Sequence, residues 1–189
     1  MKKMDMFKKL LIERDDAIAV AIDFQEKLLP AMKNPGELED TVIKLTSGLK
    51  ALNIPILVTQ QYTRGLGETV PSIADAIGEF TPIEKFTFSA WETEEFVTKM
   101  EEYDQNTVIL FGIESHICVL QTTMDLLKEG YNVFVVADAC MSRSDINYNV
   151  SLKRMADAGA FITTYESVLY ELLGSAKADG FKEVAKIVK

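Results

Sequence analysis

Apolar residues follow two spacings along this chain. Short continuous runs at Ala17–Ile22, Ile54–Gln61, Val108–Ile113, Tyr131–Asp138 and Ala160–Thr164 are rich in β-branched residues and read as strands, the central ones buried on both faces. A briefer strand ends near Lys85. Between the runs, apolar residues recur at helical spacing. Val42, Leu45, Leu49 and Leu52 mark a helix over 38–52. Val119, Thr122, Thr123, Leu126 and Leu127 mark another, stopped by Gly130. Further helices are predicted over 70–77 behind Pro71, over 94–102 behind Thr93, over 146–158 before Gly159, and over 166–173 and 181–189. A short amphipathic helix is expected over 4–14, ended by Asp15 and Asp16. Strand and helix alternate throughout, which predicts a mostly parallel sheet covered on both faces. No repeat, linker or low-complexity tract interrupts the pattern, so residues 1–189 are read as one domain.

Composition narrows the function classes. No apolar run approaches the length of a membrane span. Asp5, Lys8 and Lys9 interrupt any apolar stretch after Met1, so no secretory signal is expected. Two cysteines without such a signal point to a reducing, cytoplasmic compartment. A net charge of −9 argues against nucleic-acid binding, which needs a basic face. His116 is the single histidine, and no CxxC, HExxH, GxGxxG or Walker pattern is present. No metal and no cofactor is expected. Metal-free covalent chemistry on a small molecule is what remains.

Three residues stand where strands end. Asp23 follows β-branched Ile22, Lys85 closes the brief strand, and Cys118 begins the helix after Val108–Ile113. A parallel sheet would bring all three to one edge, where open α/β sheets place their ligands. A carboxylate can take a thiol proton, and an ammonium stabilises both anions. The helix start is expected to lower the Cys118 pKa. Backbone N–H groups around Glu114 to Cys118 are the natural oxyanion donors.

The segments Ala21-Ile22-Asp23-Phe24-Gln25, Ile83-Glu84-Lys85-Phe86-Thr87-Phe88-Ser89-Ala90 and Gly112-Ile113-Glu114-Ser115-His116-Ile117-Cys118-Val119 resemble the isochorismatase-like cysteine hydrolase superfamily. The resemblance spans nearly the whole chain. It implies a Rossmann-like three-layer sandwich with a six-stranded parallel sheet, and an Asp23–Lys85–Cys118 triad. It also implies a cis peptide at Ile113–Glu114 that turns the Glu114 N–H, with that of Cys118, toward the oxyanion. Nicotinamidases of the family carry an Asp-x-His metal motif after the second strand; here that region reads Gln60-Gln61-Tyr62-Thr63-Arg64. Isochorismatases proper lack the cysteine. The tail, from Ser142-Arg143-Ser144 through Tyr165-Glu166 to Phe181-Lys182-Glu183, most resembles the isochorismatase-domain-containing branch, whose substrates are poorly defined.

The resulting expectation is a hydrolase of a small amide or related acyl compound, acting through a thioester on Cys118. Phe24, Phe86, Phe88 and Trp91 are candidates for the pocket wall, Gln60, Gln61 and Tyr62 for substrate contacts by position, with Arg143 and Glu114 behind them. Cys140 reads as a buried spectator. The resemblance implies a homo-oligomer, dimer or tetramer. A second class stays open: a binding or assembly module, or a redox-responsive protein in which Cys118 is the sensor thiol.

Overall fold

A computed structural model describes residues 10–189. Six strands form one sheet in the order β3-β2-β1-β4-β5-β6, and every pairing is parallel. They are β1 (Ala17–Ile22), β2 (Ile56–Gln61), β3 (Ile83–Lys85), β4 (Thr107–Ile113), β5 (Asn132–Met141) and β6 (Phe161–Thr163). Every residue of β1 and β4 is buried, which is why both run unbroken in apolar residues.

The helices are α1 (Pro35–Ala51), α2 (Thr63–Leu66), α3 (Pro71–Ile77), α4 (Glu94–Tyr103), α5 (Leu120–Lys128), α6 (Asp145–Asp157), α7 (Tyr165–Leu173) and α8 (Phe181–Ile187). The chain winds outward from β1 to β3, returns to β4, and winds outward the other way. Right-handed crossovers in opposite directions place α1 on one face and α5 and α6 on the other. Accordingly α1 packs against α3, α7 and α8, while α5 packs against α6. The reversal leaves a crevice between β1 and β4 at the carboxyl edge, the position from which such sheets bind ligands.

Two boundaries differ from the sequence reading. The helix expected over 4–14 lies largely outside the described residues; residues 10–13 are not helical, and Arg14–Asp16 form one 3-10 turn. The fifth strand does not stop at Asp138. Its register jumps from Leu110↔Val135 to Gly112↔Cys140, so that one residue of β4 faces four of β5. The bulge turns the Asp138 carboxylate aside, where it accepts the Tyr165 N–H at 2.9 Å and caps α7. Burial raises the Asp138 pKa, and its backbone donors partly oppose this. The strand then resumes and delivers Ser142 and Arg143 to the carboxyl edge.

Gly112 makes the last rung between β1 and β4 possible. Its φ is +152°, and a Cβ there would stand 2.5 Å from both the Cβ and the carbonyl oxygen of Ile22. The obstacle is partly backbone, so it cannot rotate away. Gly112→Ala is expected to lower unfolding free energy by about 2–4 kcal/mol in urea titration. Gly36→Ala, in the first turn of α1 with nothing within 4 Å of the added Cβ, should be neutral or stabilise by up to about 1 kcal/mol.

Candidate active site

The register of the sheet assembles the site. Ile22 pairs with Thr59 on one side and Gly112 on the other, Thr59 pairs with Ile83, and Gly112 with Cys140. Asp23 lies one residue beyond this continuous rung, Gln61, Lys85 and Glu114 two, and Arg143 three. All of them therefore meet at the carboxyl edge, around the β1/β4 crevice.

Asp23 and Lys85 form a fully buried ion pair, with Oδ2 and Nζ 2.7 Å apart. Asp23 adopts left-handed backbone (φ 56°), a conformation that aspartate tolerates. Its Oδ1 accepts the Thr59 hydroxyl at 2.7 Å. The ammonium donates to Gln61 Oε1 at 2.7 Å and toward the carbonyls of Phe88 and Thr87 at 3.2 and 3.3 Å. Oδ2 has no aligned hydrogen-bond donor despite the short distance to Nζ. The contact is an ion pair, because charge attraction needs no alignment, and the oxygen keeps lone-pair capacity for another donor.

The Cys118 thiol neighbours the pair. It sits in a one-turn π-helical segment, Ser115–Val119, which follows the cis peptide Ile113–Glu114 and leads into α5. The thiol is buried and within hydrogen-bonding reach of both Asp23 and Lys85. Its pKa is raised, not lowered as the helix start predicts. Burial pushes the thiol up to about 12, the Asp23 charge adds to the rise, and Lys85 only partly opposes it. A helix start lowers a thiol pKa when water can also solvate the anion; at 6% exposure it cannot.

The other sequence candidates separate into groups. Gln60 and Gln61 are occupied internally. Gln60 donates to Thr69 Oγ1 at 2.9 Å, and Gln61 Nε2 to the Phe86 carbonyl at 2.9 Å. Gln25, which the sequence did not single out, is fully buried; it accepts the Gln61 N–H and donates to the Gln61 and Gly67 carbonyls. Phe24 belongs to the core, its ring 5.9 Å from that of Phe111. Trp91 stands edge-on to Phe96 of α4 and to Tyr131, at the amino end of β5. Tyr62 and Phe88 are exposed, as is Phe86, whose ring is 5.8 Å from that of Tyr62. Thr59 and Gln61, the two groups that fix the ion pair, were legible only as polar residues at a strand's end.

A second polar cluster flanks the turn that carries Cys118. The buried Glu114 carboxylate accepts the Arg143 backbone N–H at 3.2 Å and its Nε–H at 3.0 Å. His116 Nδ1 is 2.9 Å from Ser142 Oγ and 4.0 Å from Glu114 Oε2. Cys140 is buried beside Gly112, and burial pushes its thiol up to about 12. Among the described residues no three His, Cys, Asp or Glu side chains gather as a metal site, and no helix is long and apolar enough to cross a membrane. A cavity of about 540 Å³ lies at the opposite edge, lined by Arg14, Leu52, Pro55 and Asp179, and no buried titratable group faces it.

Known proteins share this architecture. A Xenopus laevis isochorismatase domain-containing protein 2 is 40% identical over 167 residues, covering 88% of this chain and 80% of that protein. A Salmo salar isochorismatase domain-containing protein 1 is 38% identical over 88% of this chain, which spans only 59% of that longer protein. The solved MAR1 ribonuclease from Caenorhabditis elegans superposes with a TM-score of 0.89 at 39% identity, covering 94% of this chain and 92% of that one. YcaC from Pseudomonas aeruginosa, solved with hexane-2,5-diol and covalent acrylamide, gives 0.90 at 27% identity, with 96% and 93% covered. Escherichia coli YcaC, an octameric hydrolase of unknown specificity, gives 0.90 at 25% identity, with 96% and 92% covered. The Isochorismatase domain family matches residues 17–167, taking in Asp23, Lys85 and Cys118, and the chain belongs to that family.

Proposed function

We propose that this protein is a cysteine-dependent hydrolase of a small amide or related C–N acyl compound, working through a thioester on Cys118 with Asp23 and Lys85. One observation carries the reading: a buried carboxylate–ammonium pair lies against a buried thiol at the switch point of the sheet. Burial and the Asp23 charge keep the thiol protonated at neutral pH. A free thiolate is therefore not the resting nucleophile, and proton transfer to Asp23 accompanies attack.

Sγ bonds to the carbonyl carbon as its proton passes to Asp23, and the carbonyl π electrons move to oxygen. The N–H groups of Glu114 and Cys118 take the oxyanion. Collapse breaks the C–N bond, the leaving nitrogen receives the proton from Asp23, and the amine departs. Water then gives a proton to Asp23 and attacks the thioester, releasing the acid and restoring the thiol. Lys85 holds the charge of Asp23 throughout and offsets that developing on sulfur. Tyr62 and Phe88, exposed beside this edge, would wall the substrate; Phe24, Gln60, Gln61 and Trp91 would support the site from behind.

The redox-sensor reading is weaker, because oxidants react with accessible thiolates and this thiol is buried and neutral. Ribonuclease activity, which the C. elegans relative is named for, fits poorly with a net charge of −9 and a single histidine already bonded to Ser142. Exposed Phe86, Phe88, Ile146 and Val150, together with the octameric relative, support a homo-oligomer. Two free, buried cysteines suit a reducing, cytoplasmic setting.

Incubation with a panel of small amides, followed by acid quench and peptide mass spectrometry, should find an acyl adduct on the Cys118 peptide. Asp23→Asn and Lys85→Met should each lower kcat by about 10²–10⁴. Turnover that survives Cys118→Ala would sink the proposal. The pH profile of iodoacetamide alkylation gives a second test. The rate at Cys118 should climb about tenfold per pH unit from 7 to 10 without levelling, because the thiol stays protonated until about 12. Asp23→Asn, by removing the anion that raises the thiol, should speed alkylation while slowing turnover. A plateau below pH 9 would contradict the buried neutral thiol.

A further inference from the structure

We propose that Gln25 is a positioning residue for Lys85: its amide replaces the sheet rung that β1 gives up at Asp23 and, through Gln61, holds the ammonium on the carboxylate. This rests on the hydrolase reading and adds a residue to it.

The sheet loses a rung where the site begins. β1 pairs with β2 as far as Ile22↔Thr59, and Ile22 is its last residue. Asp23 then leaves the strand in left-handed backbone. β2 runs on to Gln61, whose neighbour in β3 is Lys85. The Tyr62 N–H points to β3, where it donates to the Lys85 carbonyl at 3.0 Å. Backbone groups alternate sides along a strand, so the N–H and carbonyl of Gln61 point the other way, toward a strand that has ended. Buried, they need partners. Gln25 supplies them from a fully buried side chain. Its Oε1 accepts the Gln61 N–H at 2.8 Å, and its Nε2 donates to the Gln61 carbonyl at 3.0 Å. The second Nε2 hydrogen goes to the Gly67 carbonyl at 2.6 Å. Among side chains of this length only an amide offers an acceptor and two donors together.

A tie between the two loops does not require this side chain. Backbone bonds already join them: the Glu26 N–H to the Glu68 carbonyl, the Lys27 N–H to that of Leu66, and the Val70 N–H to that of Phe24. What the side chain adds is aimed at Gln61. With its backbone fixed, the Gln61 amide is oriented by the Phe86 carbonyl, to which Nε2 donates at 2.9 Å, and Oε1 is left to accept Lys85 Nζ at 2.7 Å. The same ammonium stands 2.7 Å from Asp23 Oδ2. Gln25 also grips the acid, because its backbone N–H donates to the Asp23 carbonyl at 2.8 Å and closes the turn there. One residue thus fixes both halves of the ion pair. A displacement of about 1 Å at a reacting centre can lower its rate about 10²-fold.

The test reads acetylation of Cys118 by p-nitrophenyl acetate. That step forms the Sγ–acyl bond, expels p-nitrophenolate and passes the thiol proton to Asp23. Peptide mass spectrometry with a Cys118→Ala control assigns the rate to this thiol. Gln25→Met should lower it about 10–10²-fold, and Gln61→Met by a similar factor. The double variant should stay within about threefold of the slower single, because both changes release the same ammonium. Factors that multiply would overturn the proposal. If Gln25→Met does not fold, Gln61→Met decides, and a wild-type rate there would overturn it as well. Gln25→Glu supplies a pH readout. Burial raises the pKa of the introduced carboxyl; its neutral form accepts the Gln61 N–H and donates to one carbonyl, and its ionised form cannot donate. The rate relative to wild type should therefore fall as pH rises from about 5 to about 8. A flat ratio, with only the melting temperature changing, would mark a structural tie and overturn the positioning role. Acetylation that depends on Gln25 without turnover of any amide would leave this role standing and sink the hydrolase reading. Amide turnover with multiplying factors would do the reverse. No acetylation of wild-type Cys118 would overturn both.

Discussion

The buried ion pair between Asp23 and Lys85 is the constraint on which the site depends. Both side chains are fully removed from water, and charges so placed are tolerable only when their remaining hydrogen-bonding capacity is met. Thr59, Gln61 and the Phe88 carbonyl meet most of it, from β2 and from the segment after β3, while Asp23 Oδ2 has only the charge of Lys85. Gln25 in turn ties Gln61 to the loop that follows β2. Removing one partner of such a pair typically costs about 3–5 kcal/mol, because the other charge stays buried. A protein that keeps this arrangement in its core edge bears a cost that stability alone does not explain.

The pair also sets the character of the thiol. Asp23 raises the Cys118 pKa and Lys85 lowers it, but burial is the largest cause. The outcome is a buried, protonated thiol beside a buried carboxylate. The same burial guards Cys118 against oxidants, which react with thiolates.

The β4–α5 connection links this centre to a second cluster. Glu114 follows the cis peptide, binds Arg143 from the end of β5, and lies near His116, which contacts Ser142. The bulge in β5 is what brings these partners to the edge: it diverts Asp138 to cap α7 and lets the strand run on to Met141. The turn that leads to Cys118 is thus held to the segment after β5 by the Glu114–Arg143 ion pair and the His116–Ser142 contact.

Local pattern along the chain specified the strands, most helices and the three residue types of the candidate triad. Strands buried on both faces must be apolar throughout, so β1 and β4 were legible without a partner in view, and the motifs around Asp23, Lys85 and Cys118 marked the family. Tertiary structure decided what local pattern does not encode. Gln60 and Gln61 follow a strand just as substrate contacts would, but their partners come from residues 25, 69, 85 and 86, and those partners consume them. Trp91 and Phe24 are aromatic by sequence, and packing gave them to ring contacts instead of an open wall. The length of β5 depended on a bulge that only its pairing with β4 defines. The sign of the Cys118 shift depended on desolvation, a sum over every neighbour that excludes water, and no spacing along the chain contains that sum.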